Sequence, residues 1–360
     1  MTIKSPLLAR PGAVEAGGAD AGVASHYGEP LREQRALAGG TAVVDLSHRG
    51  VVTVTGPDRL SWLNTLSSQQ LTNLAPGQSS ELLLLSVQGR IEFDARVVDD
   101  GATTWLIVEA AEAGPLAGWL NKMKFMLRVE IADASADWAV LGSTRRVPEW
   151  SSLLVWEDPW PHVGAGGYSY AVVGEDAHPG LERPWFEYLV PAAELEATVG
   201  ELPLAGVSAA EALRIAAWRP RWGAETDDKT IPHELDLLRT AVHLNKGCYK
   251  GQETVARVHN LGHPPRRLVF LQLDGSQHTM PAVGSEVRAG DRKVGTVTSV
   301  AQHYEMGPVA LAVVKRSVAP EDVLTVLDGE EPYTAAQEVI VAPDAGQVVG
   351  RQTGFLRGTR

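Results

Sequence analysis

The hydrophobic pattern of this 360-residue chain changes at His263-Pro264-Pro265. Upstream, short β-branched runs alternate with segments whose apolar residues recur every three or four positions; downstream, only strand-like runs separated by glycine-bearing turns remain. Two consecutive prolines cannot donate backbone hydrogen bonds, so this step favours a domain junction. A chain of this length also exceeds what one hydrophobic core organises. We therefore predict two or three domains, the last a small β-barrel or sandwich.

The part before the Pro-Pro step predicts an α+β fold. A turn ending at Asp58 can begin a helix, and the spacing of Leu116, Leu120 and Leu127 marks one apolar helix face. The other predicted helices cover 192–199 and 208–218. Over the whole chain, the predicted strands are 51–55, 81–87, 91–98, 103–109, 129–132, 138–141, 168–173, 186–190, 268–273, 286–288, 294–300, 309–314 and 338–341.

Between residues 146 and 167 the chain is crowded with proline and glycine and carries Trp150, Trp156 and Trp160. Frequent proline and glycine residues are typical of a long surface loop. The three tryptophans either pack this loop onto the core or form a patch for a partner, and the first interpretation describes the commoner arrangement.

The net charge of −12, from 32 Lys and Arg against 44 Asp and Glu, argues against non-specific nucleic-acid binding. Local cationic pockets are compatible with this total because salt screens charges beyond about 8–10 Å. Two clusters are candidates for such pockets: Arg214, Arg219 and Arg221 form one, and Lys250, Arg257, Arg266 and Arg267 form the other.

The single cysteine, Cys248, excludes an internal disulfide and a zinc or iron–sulfur site held by this chain alone. The ten histidines show no metal-ligand spacing, so no metal site is predicted. Residues 1–25 lack the apolar core of a signal peptide and are predicted to be a flexible leader. No apolar run approaches the roughly 20 residues of a bilayer span. We therefore expect a cytoplasmic protein without a membrane segment.

Cys248 lies in an unusual setting, with glycines at 247 and 251 and with Lys246 and Lys250 two residues to either side. Glycines permit close backbone approach, and nearby ammonium groups favour the thiolate, the nucleophilic and metal-ligating form. This pattern predicts an exposed, functional thiol. The alternative is a buried small hydrophobe, the usual fate of a free cysteine.

The run from Lys246 to Glu253, followed by Thr254, Arg257 and Gly262, resembles the signature of the YgfZ family of folate-binding proteins. The segments from Asp45 to Arg59 and from Leu213 to Glu225 are similar to the related T-proteins, the aminomethyltransferases of glycine cleavage. This resemblance implies a three-domain ring with a C-terminal β-barrel and a tetrahydrofolate in the central opening. The implied domains are residues 26–50 plus 137–262 for folate binding, an inserted α+β domain at 51–136, and the barrel at 263–360.

In this family the pterin lies deep and the glutamyl tail points outward. Glu187 matches the family's buried carboxylate, which can accept hydrogen bonds from the pterin 2-amino group and a ring N–H. The alternative for Glu187 is a surface glutamate of a strand. The remaining expected folate contacts are Arg214, Lys246, Tyr249, Lys250, Gln252 and Arg257.

Asp94 stands where aminomethyltransferases carry paired aspartates, but Phe93 replaces the first of the two. With one acid missing, the protein assists proton movement at the folate amine less strongly. Whether the chain is an enzyme therefore stays open. Cys248 and Asp94 are the two catalytic candidates, and Asp94 either orients the folate or has a simple strand or turn role.

The resemblance favours an accessory factor for iron–sulfur cluster assembly or repair, with iron–sulfur proteins as partners. Its clients would include enzymes that modify tRNA. The first alternative is a true aminomethyltransferase, which needs a lipoyl-protein partner. The second is direct tRNA binding through the two cationic clusters, against which the acidic total argues.

Overall fold

A computed structural model describes residues 4–276 and 278–348. Residues 1–3 of the predicted leader and 349–360 of the predicted barrel lie outside the described part. The α-helices are α1 (Pro30–Ala38), α2 (Arg59–Leu66), α3 (Ala110–Met123), α4 (Leu195–Val199), α5 (Val207–Ala216) and α6 (Gln252–Leu261). The strands are β1 (Val14–Glu15), β2 (Ala24–His26), β3 (Val43–Asp45), β4 (Gly50–Thr55), β5 (Ser79–Leu85), β6 (Ile91–Asp99), β7 (Thr103–Val108), β8 (Glu130–Asp133), β9 (Trp138–Ser143), β10 (Leu154–Glu157), β11 (Phe186–Pro191), β12 (Leu204–Ala205), β13 (Arg266–Leu273), β14 (Glu286–Ala289), β15 (Arg292–His303), β16 (Gly307–Lys315), β17 (Leu324–Asp328) and β18 (Glu331–Val339).

The first large sheet has the order β10-β11-β9-β3-β12. It is antiparallel except for the β3–β12 pair, which is parallel. Its strand β11 reads Phe-Glu-Tyr-Leu-Val-Pro, and both neighbours pair with it along its length. Because the sheet is covered on both faces, β11 is buried almost throughout, and its glutamate is carried into the interior.

The second sheet, β5-β6-β7-β4-β8, is built from the chain between β3 and β9 and is therefore an insertion into the first sheet. Helix α3 packs its Leu116 and Leu120 against the sheet with Val54 and Leu106. The predicted helix face is thus correct, although α3 ends at Met123, before the predicted Leu127.

The chain after the Pro-Pro step forms a closed barrel, β13-β16-β15-β14-β17-β18, in which β18 pairs back onto β13. Successive side chains of β13 belong alternately to two different cores, which explains how the barrel attaches to the remainder of the protein. Val269 and Leu271 belong to the barrel core, whereas Leu268 and Phe270 belong to a core shared with α5 and the second sheet. These sheets are consistent with the predicted domain boundaries, which we retain as a proposal.

The structure corrects the prediction of a flexible leader. Leu7 and Val23 are completely buried, and β1 pairs with β2. The Arg10 guanidinium donates a hydrogen bond to the Gly200 carbonyl oxygen at 2.9 Å. Residues 4–25 contain few apolar side chains, so their ordered structure comes from the surface against which they pack. No local sequence pattern predicts it.

Segment 168–173, predicted as a strand, forms only an isolated bridge between Ala171 and Val341. Its amide groups bond to a loop instead, as where the Tyr168 N–H donates to the Leu238 carbonyl at 3.0 Å. Strand β17 was not predicted, and β18 lies mostly before the predicted 338–341. The interpretation of the tryptophan-rich segment as packed onto the core is confirmed, since Trp150, Trp156 and Trp160 are all buried.

Candidate functional site

A cavity of about 1700 Å³ lies where the second sheet, α5, the barrel and the N-terminal segment meet. Its wall includes the 16–21 segment, the start of α3, the start of α5 and residues 298–302 of β15. Such a junction of several units is a usual place for a ligand site. The volume exceeds the roughly 300–1000 Å³ of ordinary small-molecule pockets, so there is room for an extended ligand.

A much smaller compartment of about 20 Å³ adjoins this cavity. Its wall is mostly charged, with Glu187 from β11, Arg96 from β6 and Arg214 from α5. The two spaces share six residues, which we call the neck: Asp20, His48, Arg49, Val207, Glu211 and Arg221.

Glu187 lies on the wall of this compartment and is only 1% exposed. Its Oε1 accepts a hydrogen bond from Trp185 Nε1 at 3.0 Å and lies 3.3 Å from Arg96 Nε. Its Oε2 has no hydrogen-bond partner among the described residues. Gly142, opposite Glu187 on β9, makes room for the Trp185 ring, which lies 2.8 Å from where a Cβ would be. The alternative of a surface glutamate is therefore wrong.

The compartment also contains unsatisfied donors. Arg49 Nε, Arg183 Nε and Arg219 Nη1 are buried without a hydrogen-bond partner in the described part of the chain. Buried polar groups are rarely left unpaired, so an unpaired acceptor and several unpaired donors on residues that line one space indicate a site for a polar ligand.

The three arginines of the first cationic cluster are buried in ion pairs. Arg214 is 4% exposed and pairs with Glu211 at 2.9 Å and Glu225 at 3.1 Å. Arg219 Nη2 lies 2.6 Å from Glu81 Oε1, which joins the second sheet to the end of α5. Arg266 and Arg267 of the other cluster are engaged as well: Arg266 pairs with Asp227 and Glu234, and Arg267 is buried at the barrel.

Asp20, from the N-terminal segment, is a site residue that sequence reasoning missed. Its Oδ1 lies 2.6 Å from Arg221 Nη2 and 3.1 Å from His48 Nε2. Burial opposes ionisation, but hydrogen bonds and charges from His48 and Arg221 lower the pKa of Asp20 well below its ordinary value. No local motif surrounds Asp20, so only the fold reveals its role.

Comparison with known proteins agrees with this architecture. Residues 24–143 match the GCVT N-terminal domain family. The chain superposes on the glycine cleavage system aminomethyltransferase T from Bartonella henselae with a TM-score of 0.71, covering 93% of this chain and 94% of that one at 18% identity. This chain has the T-protein fold. The predicted α+β, T-protein-like fold with a C-terminal barrel is thereby confirmed.

The curated relatives align with this chain over most of its length and most of theirs. An aminomethyltransferase from Corynebacterium aurimucosum is 26% identical over 317 residues, 82% of this chain and 84% of that protein. Another, from a Nostoc species, is 29% identical and covers 80% of each chain. Residues 24–143 therefore form a GcvT-type domain within a T-protein fold, and the narrower YgfZ assignment stays a prediction.

On this T-protein fold, Asp94 lies on β6 and does not line the cavity or the inner compartment. Desolvation and the nearby charge of Glu81 raise its pKa to about 8. Desolvation likewise raises the pKa of Glu112 to about 9, although that carboxylate accepts the backbone N–H of Asp94 at 2.9 Å. Burial and the Glu81 charge therefore favour the protonated form of Asp94. Phe93 packs near Trp119 of α3, with ring centroids 6.5 Å apart.

The predicted thiol is exposed, and the loop that carries it is firmly anchored. Lys246 Nζ donates hydrogen bonds to three backbone carbonyls, those of Asn64, Ser67 and Gln69. Burial lowers the pKa of Lys246 to about 8. The alternative of a buried Cys248 is therefore wrong.

The other residues of this motif also have structural partners. Tyr249 is buried, Gln252 Nε2 donates to the Lys246 carbonyl at 3.3 Å, and Lys250 pairs with Glu92 at 3.0 Å. Arg257 lies exposed on α6. Neither Cys248 nor these four residues nor Lys246 lines the cavity or the compartment. The structure thus separates the cysteine loop from the Glu187 site.

No described helix combines the length and the hydropathy needed to cross a membrane. No group of three or more metal-ligating side chains occurs within residues 4–276 and 278–348.

Proposed function

We propose that this protein binds a tetrahydrofolate, with the pterin held at Glu187 and the tail in the central cavity, and uses it in aminomethyl-type one-carbon transfer. The observation that carries the proposal is the buried, unpartnered Oε2 of Glu187 in a compartment that opens into a cavity of about 1700 Å³. A pterin presents adjacent N–H donors that match this acceptor. The T-protein fold and the aminomethyltransferase relatives support the same ligand class.

The residues present fit a reduced pterin. Glu187 would accept from its N–H groups, and the unpaired nitrogens of Arg49, Arg183 and Arg219 would donate to its oxygen and ring nitrogens. The inner compartment, at about 20 Å³, has room for about one water, so side chains at the neck must move outward to admit the ring. A bound tetrahydrofolate supplies the secondary amines that accept a one-carbon unit.

The chain's own contribution to the chemistry would be to keep the reacting groups away from water. Glu187 is only 1% exposed, and Arg219 and Asp158 of the same wall form a buried ion pair. Asp94 and Glu112 line neither the cavity nor the compartment, so these two acids lie outside the space in which a ligand would react.

A second candidate function, an accessory role in iron–sulfur cluster assembly or repair, is favoured by the exposure of Cys248. A thiol on an anchored loop outside the cavity is accessible to a partner protein. By contrast, direct tRNA binding loses the first of its two proposed clusters, because Arg214, Arg219 and Arg221 are buried in ion pairs. The cytoplasmic location stays a prediction.

Anaerobic calorimetric titration with tetrahydrofolate tests the binding proposal, and we expect saturable binding at one site. Absence of binding would contradict it. An aminomethyl-lipoyl carrier protein is then supplied, and formation of methylenetetrahydrofolate is measured. Normal folate binding without product would eliminate aminomethyl transfer and leave the accessory role.

Cys248→Ala is expected to leave tetrahydrofolate affinity and stability unchanged, since the side chain is exposed and lies outside the cavity wall. Calorimetry and thermal unfolding measure both, with Cys248→Ser as the matched control. If the accessory role holds, neither variant restores iron–sulfur enzyme activities in cells lacking this protein. Full restoration by the alanine variant would count against a thiol role, and a loss of folate affinity would place the thiol near the ligand.

A further inference from the structure

A pterin cannot reach Glu187 through the neck in its present conformation. The six neck residues line both the large cavity and the inner compartment, and the compartment measures about 20 Å³. A space of that size holds about one water. Some part of the neck must therefore move when a tetrahydrofolate binds. The contacts of the neck residues indicate which part it is.

Five of the neck residues are held in place from several sides. Helix α5 supplies two of them, among them Glu211, and packs one of its faces into a buried core. Arg221 Nη2 lies 2.7 Å from Glu109 Oε2, and its Nη1 lies 3.3 Å from Glu211 Oε1. Arg49 also pairs with Glu109, and His48 is only 5% exposed. These five residues form the fixed side of the neck.

Asp20 is the sixth neck residue, and it belongs to a segment that has almost no side chains. Residues 16–22 read Ala-Gly-Gly-Ala-Asp-Ala-Gly, and we call them the Asp20 loop. Residues 16–21 all line the large cavity. Because every other side chain of the loop is a methyl group or a hydrogen atom, the Asp20 carboxylate is its one side-chain link to the fixed side of the neck.

The two ends of the Asp20 loop are anchored, and its middle has room to move. The Ala16 N–H donates to the Val23 carbonyl at 2.9 Å, and Val23 is completely buried. At Gly17 and Gly18, no described atom beyond the adjacent residues lies within 4 Å of the position that a Cβ would take. Glycine also has the widest choice of backbone conformations. The loop can therefore rotate about its two ends without a clash at either glycine.

The Asp20 carboxylate is the weakest point of the closed neck. Its Oδ1 lies 2.6 Å from Arg221 Nη2 and 3.1 Å from His48 Nε2. Moving Asp20 away breaks these two contacts, and Arg221 keeps its pairs with Glu109 and Glu211. Moving Arg221 instead would separate one buried cation from three acids, which is more costly. The neck should therefore open on the side of Asp20.

We propose that the Asp20 loop is the gate through which the pterin reaches Glu187, and that Asp20 is the residue that holds this gate closed before and after binding. The inference rests on the proposed tetrahydrofolate binding and adds the route of entry. A loop that closes again over the bound pterin excludes water from it. Since the same ion pair forms in the free and in the bound protein, it controls the rates of binding and release more than the equilibrium.

Anaerobic stopped-flow fluorescence on the full chain measures the association and dissociation rate constants of tetrahydrofolate. Asp20→Asn keeps the shape of the side chain and removes its charge, so it weakens the contacts that close the gate. We expect both rate constants to rise by about tenfold, while the dissociation constant from calorimetry stays within about threefold of the wild-type value.

Glu15→Gln is the matched control, because it removes an equal charge from the residue that directly precedes the loop. Glu15 pairs with Lys4 at 2.9 Å on the surface and lines neither the cavity nor the compartment. This variant should keep both wild-type rate constants.

Amide hydrogen exchange gives a second measurement that needs no ligand. The Asp20 and Ala21 N–H groups donate to the Gly17 and Gly18 carbonyls at 3.3 Å, so opening of the loop exposes them to exchange. Asp20→Asn should accelerate exchange at these two amides, whereas Glu15→Gln should not.

Wild-type rate constants in Asp20→Asn, together with normal tetrahydrofolate affinity, would refute the gate and leave the proposed function intact. Equal acceleration by Glu15→Gln would refute it as well. A tenfold loss of affinity at an unchanged association rate would make Asp20 a ligand contact and not a gate. If tetrahydrofolate does not bind the wild type, the proposed function fails and this inference fails with it.

Discussion

Arg219→Met is expected to lower the free energy of unfolding by about 3–5 kcal/mol. The guanidinium is 5% exposed and holds Glu81 at 2.6 Å and Asp158 at 3.3 Å. Methionine has a similar apolar stem but no charge, so Glu81 would be left buried without its counter-ion, and Asp158 would keep only Arg183, 3.4 Å away. Since Glu81 belongs to the second sheet and Asp158 follows β10 of the first, the loss would also loosen the junction between the two sheets.

Urea unfolding followed by tryptophan fluorescence measures this change. Arg146→Met is the matched control, because Arg146 pairs with Glu157 at 2.7 Å on the surface with both side chains more than half exposed. Exposed pairs of this kind contribute about 0–1 kcal/mol. Equal effects of the two substitutions would show that the buried network does not hold the sheets together.

Glu187→Ala is expected to weaken tetrahydrofolate binding by about 1–3 kcal/mol, because the pterin donors would enter a buried site without their acceptor. The same substitution also removes the counter-charge of Arg96, which lies 3.3 Å from Glu187 Oε1. Glu187→Gln keeps one acceptor oxygen and the shape of the side chain, so its loss of affinity should be smaller than that of alanine.

Calorimetric titration of both variants provides the measurement, and thermal unfolding establishes that each is folded. Glu157→Ala, on the adjacent strand β10 but exposed, controls for a general effect of removing an acid. Unchanged affinity in Glu187→Ala would move the pterin site elsewhere in the cavity.

The arginines show why charge clusters in a sequence are hard to interpret. Arg214, Arg219 and Arg221 lie close together in the sequence, and Arg214 was predicted to contact the folate. Their partners include Glu225, Glu81 and Asp20, the last of which lies 201 residues away along the chain. Long-range ion pairs leave no local pattern, so the sequence could not distinguish a ligand-binding cluster from a structural one.

The cysteine loop shows a related limit. Its composition correctly predicted an exposed thiol, because glycine and lysine flanks are local properties. The distance of this thiol from the cavity depends on where the loop docks. Lys246 anchors the loop to backbone carbonyls of residues 64, 67 and 69, at the end of α2 and just after it. No sequence pattern near residue 248 predicts this docking surface.

Periodicity predicted the helix face of Leu116 and Leu120, the strand that carries Glu187, and the switch to an all-β domain after the Pro-Pro step. These follow from hydrophobic spacing and proline chemistry, which act over a few residues. Only the tertiary structure decided that residues 4–25 are ordered, that Asp20 stands in the neck beside Arg221, and that Glu187 keeps one oxygen free. All three depend on contacts between segments that are distant in the sequence, because the burial and pairing of charged side chains are determined by tertiary packing.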